Sequence, residues 1–347
     1  SPCFTECHGA TEGSSEVKPF EGRHERVDPL DRILSECLMD IVVYAIGGNA
    51  LAPPQEGSSD HRSSQRILSN VIDDIMWLRG MGYNVVITHG NGPQVGALMM
   101  GTSSRADNQD LHECVAVTQE MIGQELAHPL KEAIQAQSSQ NESIDVIVVT
   151  TKVLVDADDP SFHLPTKPIG PILSIEDLTT RDWDIANTIH GSRRVVASPI
   201  PLRIIEIDTI RELVGDGESD ILVICCGGGG IPVIATEQGL EGATGVIDKD
   251  LASALLAVEL GAVALVIATE VDGVYHNHGQ PSAERVMVLD TKTALKGVEE
   301  KEFPPGSMGP KVQACVEAAK GGMLAFICES GRMKDVFQRR SGTLITN

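Results

Sequence analysis

The order of secondary-structure signals along the chain constrains its fold more than any other feature. Mostly apolar runs occupy residues 41–46, 84–88, 144–150, 221–225, 263–269 and 324–328, and helical periodicity lies between most of them, near 67–78, 112–136, 249–260 and 310–320. A continuous apolar run is typical of a strand buried on both faces, as in parallel sheets covered by helices. The alternation therefore predicts an α/β fold, a three-layer α/β/α sandwich with a mainly parallel open sheet.

Three stretches interrupt this alternation and divide the chain of 347 residues. Residues 1–39 mix Pro, Gly, Ser and Glu with few periodic apolar positions, which predicts a disordered extension. Residues 152–200 contain five prolines and show little regular period, so we expect an irregular, protruding flap there. A polar, glycine-containing segment at 215–220 marks the predicted boundary between a first lobe, 40–219, and a second lobe, 220–347.

Composition excludes several classes of partner. The formal net charge is −22, from 27 Lys and Arg against 49 Asp and Glu, and no basic stripe is present, so no nucleic acid is expected to bind. No apolar run approaches the ~20 residues that span a bilayer, so no membrane partner is expected either. Eight scattered cysteines favour a reducing, cytoplasmic compartment over a disulfide framework. Cys3, Cys7 and His8 lack a second ligand pair nearby, so no metal-binding residues are predicted.

Glycine turns follow three of the predicted strands, at 47–49, 90–92 and 227–230. Glycine permits a positive φ and a close approach of the backbone to a ligand, and free N–H groups at a following helix attract anions. Three such turns at the carboxyl edge of one sheet predict a phosphate site. The chain lacks a P-loop motif, and Gly90–Gly96 is one residue too long for a dinucleotide turn and contains Pro93.

Three lysines stand in unusual local sequence. Lys167 lies between prolines in the flap, Lys249 lies at a predicted helix start, and Lys311 follows Pro310. A cation at a helix N-terminus opposes the helix dipole unless an anion lies between them. Lysines, backbone N–H groups and Mg²⁺ are what phosphoryl transfer needs to align and neutralise its oxygens. Asp248 has two compatible interpretations, as the organiser of lysines or metal and as the N-cap of the helix.

Six strings of the sequence, taken together, resemble those of a known family. The strings Ile46-Gly-Gly-Asn-Ala-Leu51, His89-Gly-Asn-Gly-Pro-Gln-Val-Gly96, Pro165-Thr-Lys-Pro-Ile-Gly-Pro171, Gly227-Gly-Gly-Gly-Ile-Pro-Val233, Val246-Ile-Asp-Lys-Asp-Leu251 and Gly306-Ser-Met-Gly-Pro-Lys311 resemble those of carbamate kinases, which have the amino acid kinase fold. The likeness runs from about residue 40 to the C-terminus. It implies a homodimer that transfers phosphoryl reversibly between ATP and carbamate, and forms ATP during arginine or purine breakdown.

The resemblance also implies roles for individual residues. Carbamate or carbamoyl phosphate would contact Gly47, Gly48, Asn49, Asn91, Gly92, Gly228 and Gly229, with Lys167 beside the transferred phosphoryl group. The nucleotide, ATP or ADP with Mg²⁺, would contact Lys249, Thr269, Val271, Asp272, Tyr275, Met308, Gly309 and Lys311. Lys167, Lys249, Lys311 and Asp248 would form the catalytic set, with Asp248 organising Lys249 and Lys311. No general base is expected, because the carbamate oxygen is already anionic.

Two departures from the family pattern accompany these matches. Thr269-Glu270-Val271 stands where the family has Thr-Asp-Val, and Thr118-Gln119-Glu120 where it has Thr-Gln-Gly. Two alternatives stay open at this stage: a kinase of the same fold that acts on another small carboxylate, and a catalytically silent regulatory protein. The three intact lysines disfavour the silent protein.

Overall fold

The computed structural model describes residues 40–47, 61–101, 111–137, 144–188, 191–215, 221–304 and 306–347. All of them belong to one unit, Cys37–Asn347. The extension predicted at 1–39 lies outside the described residues, as do Gly48 and Asn49 of the first glycine turn and part of the predicted lobe boundary. The division into two lobes at that boundary stays a prediction.

Strands and helices alternate along the described residues. The strands are β1 (Ile41–Ile46), β2 (Asn84–His89), β3 (Asp145–Val148), β4 (Lys152–Leu154), β5 (Lys167–Ile169), β6 (Ile185–Thr188), β7 (Gly191–Val196), β8 (Arg203–Ile204), β9 (Ile221–Ile224), β10 (Ile231–Thr236), β11 (Gly239–Gly242), β12 (Ala264–Thr269), β13 (Val274–His276), β14 (Glu284–Val286), β15 (Val288–Asp290), β16 (Leu324–Glu329) and β17 (Thr343–Thr346). The helices are α1 (His61–Gly80), α2 (Gly92–Gly101), α3 (Leu111–Gln137), α4 (Ile175–Thr180), α5 (Ile207–Val214), α6 (Lys249–Leu260), α7 (Thr291–Glu299), α8 (Met308–Lys320) and α9 (Met333–Phe337).

An eight-stranded sheet forms the centre, in the order β15-β17-β16-β12-β1-β2-β9-β3. The six strands from β16 to β3 are mutually parallel, whereas β17 pairs with β16 antiparallel and β15 runs with β17. This arrangement confirms the predicted mainly parallel sheet. One strand differs from its prediction: β3 is half-exposed because it lies at the sheet edge, where the sequence predicted a fully buried strand.

Helices cover both faces of this sheet, which confirms the three-layer sandwich. Successive side chains of a strand point to opposite faces. Val43 and Ala45 of β1 therefore pack in one core cluster with residues of α6 and α8. Tyr44 lies between them on the chain and donates its hydroxyl to Asp74 of α1 on the other face, at 2.7 Å. Among the described residues, no helix is long and apolar enough to cross a membrane.

The flap is more regular than the sequence predicted. Strands β5, β7 and β6 form a separate antiparallel sheet in that order, with Lys167 opposite Val196. This sheet attaches closely to α2, where the Gly170 N–H donates to the Gly92 carbonyl at 3.0 Å. A Cβ on Gly96 of α2 would overlap the backbone of Gly170. The flap lysine is thus carried by a strand whose end rests directly on a helix of the main body.

Candidate active site

A cavity of about 640 Å³ opens at the carboxyl ends of the central strands. Gly47 follows β1, Gly90 and Asn91 follow β2, and Thr269 ends β12, and all four line it. The first turns of α6 and α8 complete the wall. Ligands of open α/β sheets collect at this edge, because strand ends and helix N-termini present unpaired backbone groups there.

All three predicted lysines and Asp248 line this cavity, although they come from separate elements. Lys167 of β5 forms an ion pair with Asp248, 2.7 Å between Nζ and Oδ2. The other oxygen of Asp248, Oδ1, accepts from the Asp250 N–H at 2.9 Å and caps α6. Both interpretations of Asp248 therefore hold structurally: it is a helix N-cap and it orients a lysine. The lysine that it pairs with is Lys167, not Lys249 or Lys311.

Asp250 holds the other two lysines together, a role that the sequence reasoning missed. Its Oδ2 accepts from Lys311 Nζ at 2.9 Å, and its Oδ1 lies 2.9 Å from Lys249 Nζ. The Lys249 contact is an ion pair without hydrogen-bond alignment, so within the described residues Lys249 Nζ is buried and donates no hydrogen bond. A buried ammonium with free N–H groups at a cavity wall is suited to bind an anion.

The protonation states follow from burial and from this pairing. Burial opposes the ionisation of Asp250, but the two ammoniums overcome it and hold the pKa of this carboxyl well below its usual range. Burial lowers the pKa of Lys249, and Lys311 pushes the same way, whereas Asp250 opposes the shift. Burial also opposes the charge of Lys311, but Asp250 outweighs it and raises its pKa. Of the two lysines that Asp250 holds, Lys249 is therefore the one that loses its proton more readily.

The glycine turn at 227–230 contributes one residue, Gly228, to the cavity wall. Gly228 lines the cavity with φ +66°, and a Cβ there would overlap the Asn91 amide. Gly229 does not line it; its φ is +92°, and a Cβ would lie 2.6 Å from the Ile247 carbonyl oxygen. Of the residues predicted on the acceptor side, Gly47, Asn91, Gly92 and Gly228 thus line the cavity with Lys167, while Gly48 and Asn49 lie outside the described residues.

Most of the residues predicted for the nucleotide line the same cavity. Thr269, Val271, Tyr275 and Met308 line it together with Lys249 and Lys311. Gly309 does not; it is buried, and a Cβ there would lie 3.3 Å from the Pro304 carbonyl oxygen. Asp272 lines an adjoining cavity of about 620 Å³. It accepts hydrogen bonds from Tyr275 and Arg285, each at 2.7 Å, and so positions the Tyr275 ring.

Several lining residues went unpredicted because nothing local distinguishes them. Arg193 of β7 lines the cavity and donates to the Gly170 carbonyl, and Arg66 and Asn70 reach it from α1. Glu270, the departure from the family pattern, also lines it. The charged lining residues described are five cations and four anions: Arg66, Lys167, Arg193, Lys249 and Lys311 against Asp248, Asp250, Glu270 and Glu329. This lining is net positive in a chain of net charge −22.

The second departure, Glu120, lies away from the cavity on the exposed side of α3. Its carboxylate accepts from Gln124 at 2.9 Å and from Thr150 at 3.2 Å. His89, which precedes the second glycine turn, is fully buried, and burial lowers its pKa to about 4. It is therefore neutral at pH 7.

Comparisons with known proteins show the family of this chain. A model of the amino acid kinase family matches residues 40–329. Carbamate kinase 2 of Staphylococcus epidermidis is 36% identical over 89% of this chain and 100% of that protein, and a carbamate kinase of Halobacterium salinarum is 34% identical over 88% and 98%. The structure of a Giardia lamblia carbamate kinase bound to AMP-PNP is 32% identical, with a TM-score of 0.75 over 88% of this chain and 98% of that one. The chain belongs to the amino acid kinase family, and within it to the carbamate kinases.

Proposed function

We propose that this protein catalyses reversible phosphoryl transfer between ATP and carbamate, which links carbamoyl phosphate and ADP to carbamate and ATP. One observation carries the proposal: three lysines from three separate elements converge on one cavity, held by two carboxylates. Phosphoryl transfer depends on such positive charge, because its transition state spreads negative charge over several oxygens. The names of the Staphylococcus and Halobacterium relatives and the AMP-PNP in the Giardia structure support this substrate pair.

In the direction of ATP formation, an oxygen of the ADP β-phosphate attacks the phosphorus of carbamoyl phosphate. The bond from phosphorus to the carbamate oxygen breaks, and carbamate leaves as an anion with the electron pair. No proton moves, so the site needs no general base. We assign Lys167 to the transferred phosphoryl on the carbamoyl side and Lys249 and Lys311 to the nucleotide phosphates.

Mg²⁺ would enter with the nucleotide. No group of three or more His, Cys, Asp or Glu residues able to hold a metal occurs within the described ranges. Asp250 is committed to two lysines, and Asp248 is the more exposed of the two carboxylates. Mg²⁺ commonly keeps waters and binds substrate phosphates plus one or two carboxylates, which suits this site. It would neutralise phosphate charge, and of Asp248 and Asp250 the more exposed Asp248 would be the one to hold it.

We also propose a cytoplasmic homodimer that makes ATP in arginine or purine breakdown. The five described cysteines are free and buried, which suits a reducing compartment. Val117 and Met121, one turn apart on α3, are 55% and 44% exposed and offer an apolar stripe to a second copy. Light scattering that gave the mass of a single chain would refute the dimer.

The direct test is ATP formation from ADP, Mg²⁺ and carbamoyl phosphate, with acetyl phosphate in parallel. We expect ATP from carbamoyl phosphate. ATP from acetyl phosphate alone would indicate another small-carboxylate kinase, and no ATP from either, with folded protein, would indicate a silent one.

Substitutions then test the lysines. Lys167→Ala, Lys249→Ala and Lys311→Ala should each lower turnover roughly 10²–10³-fold, by analogy with a lost oxyanion donor. Lys131→Ala, which removes an exposed lysine paired with Asp145 on the surface, should leave turnover unchanged. Near-normal turnover in one of the three variants would remove that lysine from the site.

A further inference from the structure

The side-chain amide of Asn91 is held in one orientation by Thr118. Thr118 lies on α3 and is fully buried, and its Oγ1 lies 2.8 Å from the Cys114 carbonyl and 3.1 Å from the Val115 carbonyl. A hydroxyl has one proton, and here that proton is committed to the helix. Towards Asn91, Thr118 is therefore only an acceptor, so the group facing it at 2.9 Å must be the amide nitrogen Nδ2. The carbonyl oxygen Oδ1 of Asn91 is left for another partner.

Gln119 supports the opposite side of this amide through the glycine turn. Its amide pairs with the Thr151 backbone, accepting from the N–H at 2.7 Å and donating to the carbonyl at 3.3 Å. The Thr151 hydroxyl in turn accepts from the Cys226 N–H at 3.1 Å. Cys226 has φ +50° and begins the turn that places Gly228 against Asn91. The amide is thus enclosed between α3 and the glycine turn.

The free carbonyl oxygen of Asn91 has a defined chemical preference. Asn91 is 2% exposed and lines the cavity, and in the part of the chain that the structure describes no donor bonds to its Oδ1. When a ligand fills the cavity and displaces water from this oxygen, the oxygen requires an N–H or O–H donor from that ligand. Phosphate oxygens at neutral pH supply mainly acceptors, whereas the carbamoyl group carries an NH₂ with two N–H donors.

Resting on the proposed function, we infer that Asn91 Oδ1 accepts a hydrogen bond from the NH₂ of carbamate or carbamoyl phosphate, and that Thr118 is the positioning residue that aims it. A methyl group in place of the NH₂, as in acetyl phosphate, leaves this oxygen unpaired. A site built to bond an N–H disfavours the analogue that lacks it. Asn91 and Thr118 thus form the element that selects carbamoyl over acyl groups.

The test compares Thr118→Val with Thr118→Ser in the full-length protein. Valine keeps the shape but removes the acceptor that fixes Nδ2, so the amide can rotate, whereas serine keeps the hydroxyl. Removing a buried hydrogen-bond partner should lower kcat/KM for carbamoyl phosphate roughly 10-fold to 100-fold in T118V. Acetyl phosphate never uses the bond, so its inhibition constant against carbamoyl phosphate should change less than roughly threefold. T118S should restore most of the discrimination.

Each outcome decides the inference. The KM for ADP and the urea midpoint of T118V report on the fold and on the other end of the site. Equal losses for both acyl phosphates, or unchanged discrimination in T118V, would overturn the inference while leaving the kinase assignment intact. Wild-type protein that makes no ATP from carbamoyl phosphate would instead refute the proposed function and the inference with it.

Discussion

Replacing Asp250 by Asn tests whether one buried carboxylate holds the phosphate-binding lysines. The Asp250 side chain is 5% exposed and lies 2.9 Å from both Lys249 and Lys311. Asparagine keeps its size but leaves two nearby ammoniums without the neutralising charge. Removing one partner of a buried ion pair typically costs about 3–5 kcal/mol of stability. For a chain of this length, that corresponds to a fall in Tm of roughly 4–7 °C.

The cost should also depend on pH, and its sign follows from the protonation of Lys249. Burial and Lys311 already lower the pKa of Lys249. Asp250, which lies 2.9 Å away, opposes this shift more than any other group does. Without that carboxylate the folded pKa falls further below 10.5, its ordinary value. The unfolded state then binds more protons than the folded state in the window between the two pKa values, so stability rises with pH there. The Tm difference from wild type should shrink as pH rises above neutrality towards 10.5, the ordinary pKa of a lysine.

Thermal unfolding over this pH range and ATP formation at each pH check the argument. In D250N, turnover should also decline at a lower pH than in the wild type, because a neutral Lys249 no longer neutralises phosphate. Asp208→Asn is the matched control, since it makes the same change in an exposed pair with Arg211 on α5. A D250N protein with wild-type Tm, or a Tm difference that does not vary with pH, would refute the reasoning.

Three further predictions concern the flap, His89 and Lys167. Gly96→Ala should lower stability by roughly 1–3 kcal/mol in urea unfolding, because the new methyl overlaps Gly170. Gly80→Ala is the control and should leave stability unchanged, because a Cβ there meets no atom within 4 Å. Equal unfolding curves for the two variants would contradict the close packing at Gly96. The pKa of His89 is about 4 against an ordinary 6.5, so the unfolded state binds more protons between these values. Stability should therefore fall by up to roughly 3 kcal/mol as pH drops through that window. His89→Gln should flatten this dependence of stability on pH. If the dependence did not change, a group other than His89 would be responsible for it. Lys167→Ala should raise KM for carbamoyl phosphate more than KM for ADP. A larger rise in KM for ADP would mean that Lys167 serves the nucleotide and not the carbamoyl group.

The sequence predicted the central elements well because their signals are local. Helix α6 matches its predicted range, 249–260, since Asp248 caps its start and Gly261 ends it in the left-handed conformation. Strand β1 also matches, because a run of apolar residues buried on both faces has few alternative structures. The lysines were recognised from their flanking residues, and the structure places all three at one cavity.

The remaining features depend on contacts between distant residues. The flap strand β5 has three residues, one of them Pro168, and becomes a strand only by pairing with β7 more than twenty positions later. Its neighbours in sequence suggest only that Asp250 is an ordinary acid in the first turn of a helix, where it complements the helix dipole. Its second partner, Lys311, lies 61 positions away. No local pattern reports that this carboxylate is buried between two cations.

The two carboxylates of α6 explain how a strongly acidic chain keeps a site for polyanions. Three clustered ammoniums would repel one another, so each needs a nearby negative charge before substrate arrives. Asp250 is buried and joined to two lysines, which fixes the pair assigned to the nucleotide. Asp248 is 20% exposed, and its second oxygen caps the helix, so it holds Lys167 through one oxygen only. A phosphoryl group can therefore compete for Lys167 at lower cost than for Lys311. Lys167 is thus the one of the three lysines whose partner carboxylate is the more accessible to solvent.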